Sequence, residues 1–133
     1  MPPAKDPHHW LYRLSTDEWL AAAETELQHC ADALARRAFR PGVTHARRAA
    51  GMAWNAALVV SQDNRFGRSY MEHVVALAAD AASPADVRRA AEILRDTPPA
   101  APALLTLGKP NLAPLEAART LITYARSRVV RTN

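Results

Sequence analysis

Glycine is scarce in this chain, with four residues in 133. A hairpin-rich fold draws its tight turns largely from glycine, so an all-β architecture is disfavoured. Aromatic residues make up only 6%, so bulky rings supply little of the apolar content. Cys30 is the one cysteine, which excludes an internal disulfide. No stretch approaches the roughly 20 apolar residues that a membrane span needs. The opening MPPAKDPHHW has no apolar run of the kind a signal peptide carries, so a soluble, cytoplasmic chain with no membrane partner is expected. Neither a glycine-rich phosphate loop nor a nucleophile elbow occurs, which leaves the common nucleotide-hydrolase and serine-hydrolase chemistries without support.

What is present is alanine, which supplies much of the 49% hydrophobic content. Alanine is the best helix former and a poor strand former. The expected fold is all-α: a single-domain, up-and-down bundle of about five helices. Residues 1–14 form a poorly ordered lead-in, in which Trp10, Leu11, Tyr12 and Leu14 could pack on the core, and 15–133 form the bundle. The first helix opens at a Ser15/Glu18 capping box flanked by a Leu14/Trp19 hydrophobic staple. Its stripe runs through Trp19, Leu20, Ala23, Leu27, Cys30, Ala31, Leu34 and Ala38, and Pro41-Gly42 ends it. Cys30 lies on that stripe as a small buried hydrophobe.

A second helix is expected from Thr44 to about Val60. Between Ala49 and Val60 only Asn55 is polar, the mark of a helix buried all round. A third helix runs from a Ser69/Glu72 capping box to about Ala82, presenting Tyr70, Val74, Leu77 and Ala81. Ser83 caps a fourth that has Pro84 at its first position and buries Val87, Ala90, Ala91 and Leu94. A long connection covers 98–113, with a short helical turn around Ala103–Leu107. The last helix starts near Pro114 and buries Leu115, Ala118, Leu121, Ile122, Ala125 and Val129.

The net charge of +4 is unevenly spread. No acidic residue lies between Asp32 and Asp63, while Arg36, Arg37, Arg40, Arg47 and Arg48 all do. A second basic run, Arg119, Arg126, Arg128 and Arg131, follows Glu116. Lys5 and Lys109 are the only lysines among 17 basic residues. Arginine suits bidentate phosphate contacts better than lysine does, so the Arg36–Arg48 group is a candidate binding surface. The same residues could simply form a solvated face.

Three smaller constellations carry possible chemistry. Arg68 and His73 flank a helix start, where an arginine can bend back toward the histidine for acid/base work on a phosphate ester; two ordinary surface residues would look the same. Asn55, if buried, needs hydrogen-bond partners, either across the bundle or from a ligand. Glu26 and His29 have the Glu-x-x-His spacing of carboxylate-bridged metal sites. Those sites need a second such pair, and Glu72 and His73 are adjacent instead, so neither metal nor other cofactor is expected.

Three segments taken in order resemble the HEPN superfamily of small helical bundles. They are Trp19-Leu20-Ala21-Ala22-Ala23, the alanine-rich Ala49–Leu58, and Gly67…His73-Val74-Val75-Ala76-Leu77. The resemblance covers roughly Thr16 to Ala82. It implies a bundle that often dimerises and, in many members, metal-independent ribonuclease activity marked by an arginine followed four to six residues later by a histidine. Arg68 and His73 match that spacing, with His73 implied as acid/base toward a ribose 2′-hydroxyl and Arg68 as phosphate stabiliser. Ser69 stands where active members usually place asparagine, aspartate or histidine, and Val75 stands where one toxin subgroup has tyrosine.

The favoured expectation is therefore a HEPN-like binding or interaction module, homodimeric, with RNA, a nucleotide or another protein as partner. A metal-independent endoribonuclease using Arg68 and His73 is the first alternative. A purely structural protein–protein adaptor is the second.

Overall fold

A computed structural model describes residues 9–98 and 111–131 of the chain. Five α-helices make up the described bundle: α1 (Thr16–Ala35), α2 (Phe39–Val60), α3 (Tyr70–Ala79), α4 (Ala85–Asp96) and α5 (Ala113–Arg131). Short 3₁₀ turns at Trp10–Arg13 and Asn64–Phe66 precede α1 and α3. No strand occurs among the described residues, and none of their helices is long and apolar enough to cross a membrane. The fold class is all-α. The expected turn around Ala103–Leu107 lies outside the described residues.

The α1 start follows its local chemistry. Ser15 Oγ accepts from the Glu18 N–H, and Glu18 returns a bond to the Ser15 N–H, so both halves of the capping box are made. The end of α1 departs from expectation. Pro41-Gly42 does not stop it; Arg37 does, adopting a left-handed conformation with φ 61°. The Arg37 N–H bonds to the Leu34 carbonyl and the Ala38 N–H to the Ala33 carbonyl, the two bonds of a Schellman motif. Arginine occupies the position that glycine normally takes.

The chain then re-enters helix at once, so α2 starts five residues before the expected Thr44. Pro41 falls in the first turn of α2, where its missing N–H would have had no intrahelical partner. Two long helices joined by so short a link run antiparallel, and α1 and α2 form the most extensive pairing of the bundle.

Helix α2 is the centre of the domain. From Ala53 through Val59 every residue is buried, Asn55 included. It packs on α1, α5 and α3, while α4 closes the far side against α3 and α5. Small residues let these helices come close: at Gly51 an added Cβ would lie 2.3 Å from Tyr70 Cβ. Trp54 stacks on Tyr124 of α5, with centroids 5.6 Å apart and planes 8° off parallel.

The stretch before Ser15 joins the core at Leu11, which is 1% exposed and whose carbonyl accepts from Trp19 Nε1 at 2.9 Å. The lead-in thus packs on the core as its apolar residues suggested, with Trp10, Tyr12 and Leu14 alongside Leu11.

Two other boundaries move. Helix α3 stops at Ala79, three residues short of Ala82, where the Asp80 carboxylate takes the Ala82 N–H in a turn. Its buried face is His73, Val74 and Leu77, whereas Ala81 lies outside the helix and exposed. Helix α4 has Pro84 as its N-cap. Ser83 is buried and turns its hydroxyl toward Asp80 Oδ2 at 3.4 Å, so it does not cap α4.

Candidate functional site

The link between α2 and α3 positions His73. Gly67, at φ 70°, turns the chain out of the Asn64–Phe66 turn, and Ser69 Oγ then caps α3 by accepting from the Glu72 N–H. The first turn of α3 aims the His73 ring inward at α2. The ring is 0% exposed. Its Nδ1 lies 2.6 Å from the Phe66 carbonyl and its Nε2 lies 2.7 Å from the Asn55 side-chain amide.

A carbonyl only accepts, so Nδ1 carries a proton and donates it to Phe66. Burial pushes the ring's pKa below its ordinary value of 6.5, partly opposed by the Phe66 bond and the nearby Glu72. The imidazole is then neutral with Nε2 as an acceptor, so the Asn55 amide, whose Oδ1 stands nearest Nε2, pairs with it when turned over to present its NH₂. Asn55 and His73 thus satisfy each other between α2 and α3.

Arg68 does not share that position. It is exposed, with Cζ 5.7 Å from the centroid of the Trp10 ring. Trp10 in turn stacks on His73 with centroids 6.3 Å apart. Arg68 and His73 each meet the indole of Trp10. A cleft of about 410 Å³ opens alongside, lined by Trp10, Leu58, Gln62, Asp63, Asn64 and Arg68 among others, but not by His73. With both nitrogens committed and no exposed surface, the His73 ring offers no face to a ribose hydroxyl. Nothing in the sequence distinguishes Trp10 from the other apolar residues of the lead-in, yet it supplies the aromatic wall of this cleft.

The five arginines between Arg36 and Arg48 divide into two groups. Arg47 is half-buried and caps the end of α4: Nε donates to the Leu94 carbonyl at 2.8 Å and an Nη to the Thr97 carbonyl at 2.9 Å. A cation there also meets the negative end of the α4 dipole. Arg48 pairs with Glu26 Oε1 at 3.2 Å. The other three, Arg36, Arg37 and Arg40, are exposed at the α1–α2 corner. Among the described residues, no side chain partners their guanidinium groups.

Glu26 anchors a further cluster. It sits on α1, 8% exposed, with its carboxylate turned toward α2. Oε2 lies 2.5 Å from His45 Nδ1 and 4.0 Å from His29 Nδ1, while Oε1 holds Arg48. The His29 and His45 rings meet edge to face with centroids 5.2 Å apart. The i, i+3 spacing of Glu26 and His29 is visible in the sequence. His45 joins them only through the register of α2 on α1, which no local pattern shows.

No protein-family model, curated protein or solved structure matches this chain.

Proposed function

We propose that this domain is a helical binding module, HEPN-like in its arrangement, that engages RNA through the α1–α2 corner. The observation that carries the proposal is the set of three exposed arginines, Arg36, Arg37 and Arg40, gathered at one end of the bundle with no side-chain partner among the described residues. The other four α-helices each begin with an acidic residue in the first turn, namely Asp17 and Glu18, Glu72, Asp86 and Glu116. Helix α2 begins with Phe39-Arg40, no acidic residue and no side-chain cap. Arg40 lies in the first turn of α2, beside its positive end, and Arg36 and Arg37 sit close by at the end of α1, so the three cations repel one another with no acidic residue between them. A phosphate placed there relieves that repulsion and accepts from both guanidinium and backbone N–H groups. RNA presents such phosphates in series.

The endoribonuclease alternative has no comparable support, because His73 is enclosed. The oligomeric state belongs to the same proposal: a homodimer, as the resemblance implies, carries two arginine corners and binds a longer RNA with higher avidity.

Fluorescence anisotropy with a single-stranded RNA oligonucleotide, repeated over a range of salt concentrations, tests the proposal. Binding should weaken with salt, and replacing Arg36, Arg37 and Arg40 by glutamine should weaken it roughly tenfold or more. If each arginine neutralises one phosphate, the salt slope should shrink by about 2. Salt-insensitive binding, no binding, or an unchanged affinity in the triple variant would each overturn the RNA assignment. A salt-insensitive complex with a protein would instead favour the adaptor.

A further inference from the structure

We propose that Glu26, His29 and His45 form a binding site for a divalent transition-metal ion, Zn²⁺ by the chemistry of its donors, fastening α1 to α2. Each residue offers one ligand atom, and the three atoms lie within 4.8 Å of one another. Two imidazole nitrogens and one carboxylate oxygen are a donor set that zinc accepts readily, and magnesium or calcium would prefer oxygen alone.

The distances fit after small adjustments. Ligands at 2.0–2.2 Å from a tetrahedral ion stand about 3.4 Å from each other. The contact from His45 Nδ1 to Glu26 Oε2 at 2.5 Å must open by a little under an ångström, and the contact from His29 at 4.0 Å must close by slightly more than half of one. His29 can make that movement because its side chain is 52% exposed. Glu26 is held from behind: Arg48 occupies Oε1 and leaves Oε2 as a single ligand atom. A partner of this kind orients a ligand without competing for the ion.

The convergence of His29 is what points to an ion. His45 and Arg48 already satisfy the buried carboxylate of Glu26. At 4.0 Å His29 makes no hydrogen bond to it, yet helix spacing and the edge-to-face contact with His45 bring its Nδ1 alongside the same oxygen. A shared ion gives all three groups one partner and leaves a fourth coordination position on the solvent side, where His29 lies. The site is separate from the arginine corner and does not depend on the RNA proposal.

The test is calorimetric titration of the full chain, freed of metal by chelation, with Zn²⁺ alone. One ion per chain is expected, with a micromolar or tighter Kd and a rise in melting temperature that follows the zinc concentration. Substituting Co²⁺ should give the visible band of a low-symmetry, four-coordinate site. His29→Ala, at a half-exposed position, should fold normally and lose roughly tenfold or more in affinity. His45→Asn, which keeps a polar group beside Glu26, should lose a comparable amount. Replacing His8 and His9 by alanine should leave the affinity unchanged. No zinc binding, binding that survives His29→Ala, or binding lost with His8 and His9 would overturn the site.

Discussion

Replacing His73 by alanine separates a structural histidine from a catalytic one. The substitution removes a ring that is 0% exposed and strips two buried groups of their partners, the Phe66 carbonyl and the Asn55 amide. Leaving a buried polar group unsatisfied costs about 1–3 kcal/mol. A cavity beside Trp10 adds to this, although water can enter a polar hole and recover part of the loss. The expected destabilisation is about 3–5 kcal/mol, a large share of the roughly 7–20 kcal/mol available to a domain of this size.

Urea titration followed by circular dichroism should show the midpoint falling by roughly 1.5–2.5 M for a slope of about 2 kcal/mol per molar. The melting temperature should fall by roughly 10–20 °C. Pairing His73→Ala with Asn55→Ala should expose a coupling of about 1–2 kcal/mol, because each residue is the other's partner. A loss under about 1 kcal/mol with additive single effects would refute this account. It would mean that the imidazole is not held by the fold, and the nuclease role would again be open. A catalytic histidine predicts the reverse: intact stability and abolished RNA cleavage.

Other expectations follow from the same geometry. Because the folded His73 ring has its pKa below the ordinary 6.5, it costs nothing above that pH, where folded and unfolded chains are both neutral there. As pH falls through 6.5 the unfolded chain takes up a proton that the folded ring refuses. Stability should then drop by up to about 1.4 kcal/mol per pH unit until the folded ring protonates; nitrogen NMR should find the ring still neutral, protonated at Nδ1, just under pH 6.5. Burial pushes the Cys30 thiol up to about 11, so thiol reagents should label the native protein negligibly and the unfolded protein at once. Gly51→Ala should destabilise by about 1–2 kcal/mol in chemical denaturation, since the methyl would meet Tyr70 while helix propensity returns only about 1 kcal/mol. Arg37→Gly should raise stability by about 0.5–1 kcal/mol by relieving a left-handed arginine, and should lower RNA affinity in the same protein.

The parts of the fold that were legible in the sequence are those fixed by a local side-chain interaction or a strong periodicity. Ser15 and Ser69 announce the starts of α1 and α3 because each side chain caps its own helix. The apolar run after Ala49 announces a central helix because nothing along it could face water. The end of α1 was hidden for the opposite reason: a Schellman turn built on arginine carries no glycine to mark it. Pro41-Gly42 misled because proline is disruptive in the interior of a helix and harmless in its first turn. The candidate sites fared less evenly. The charge imbalance that drew attention to the arginines is real, but which of them are spoken for depends on the α2–α4 packing. Asn55 was visible as an isolated polar residue, and its partner was not. His73 looks like any helix-start histidine until the link through Gly67 turns it inward.

The grip of Arg47 on the Leu94 and Thr97 carbonyls has a practical side for anyone mapping this surface. Removing all the positive charge between residues 36 and 48 at once would unpin the tail of a helix some fifty positions away and free Glu26 from its counter-ion. The resulting protein would bind poorly whether or not nucleic acid was ever its partner. Only substitutions confined to the corner itself can tell lost contact from lost architecture.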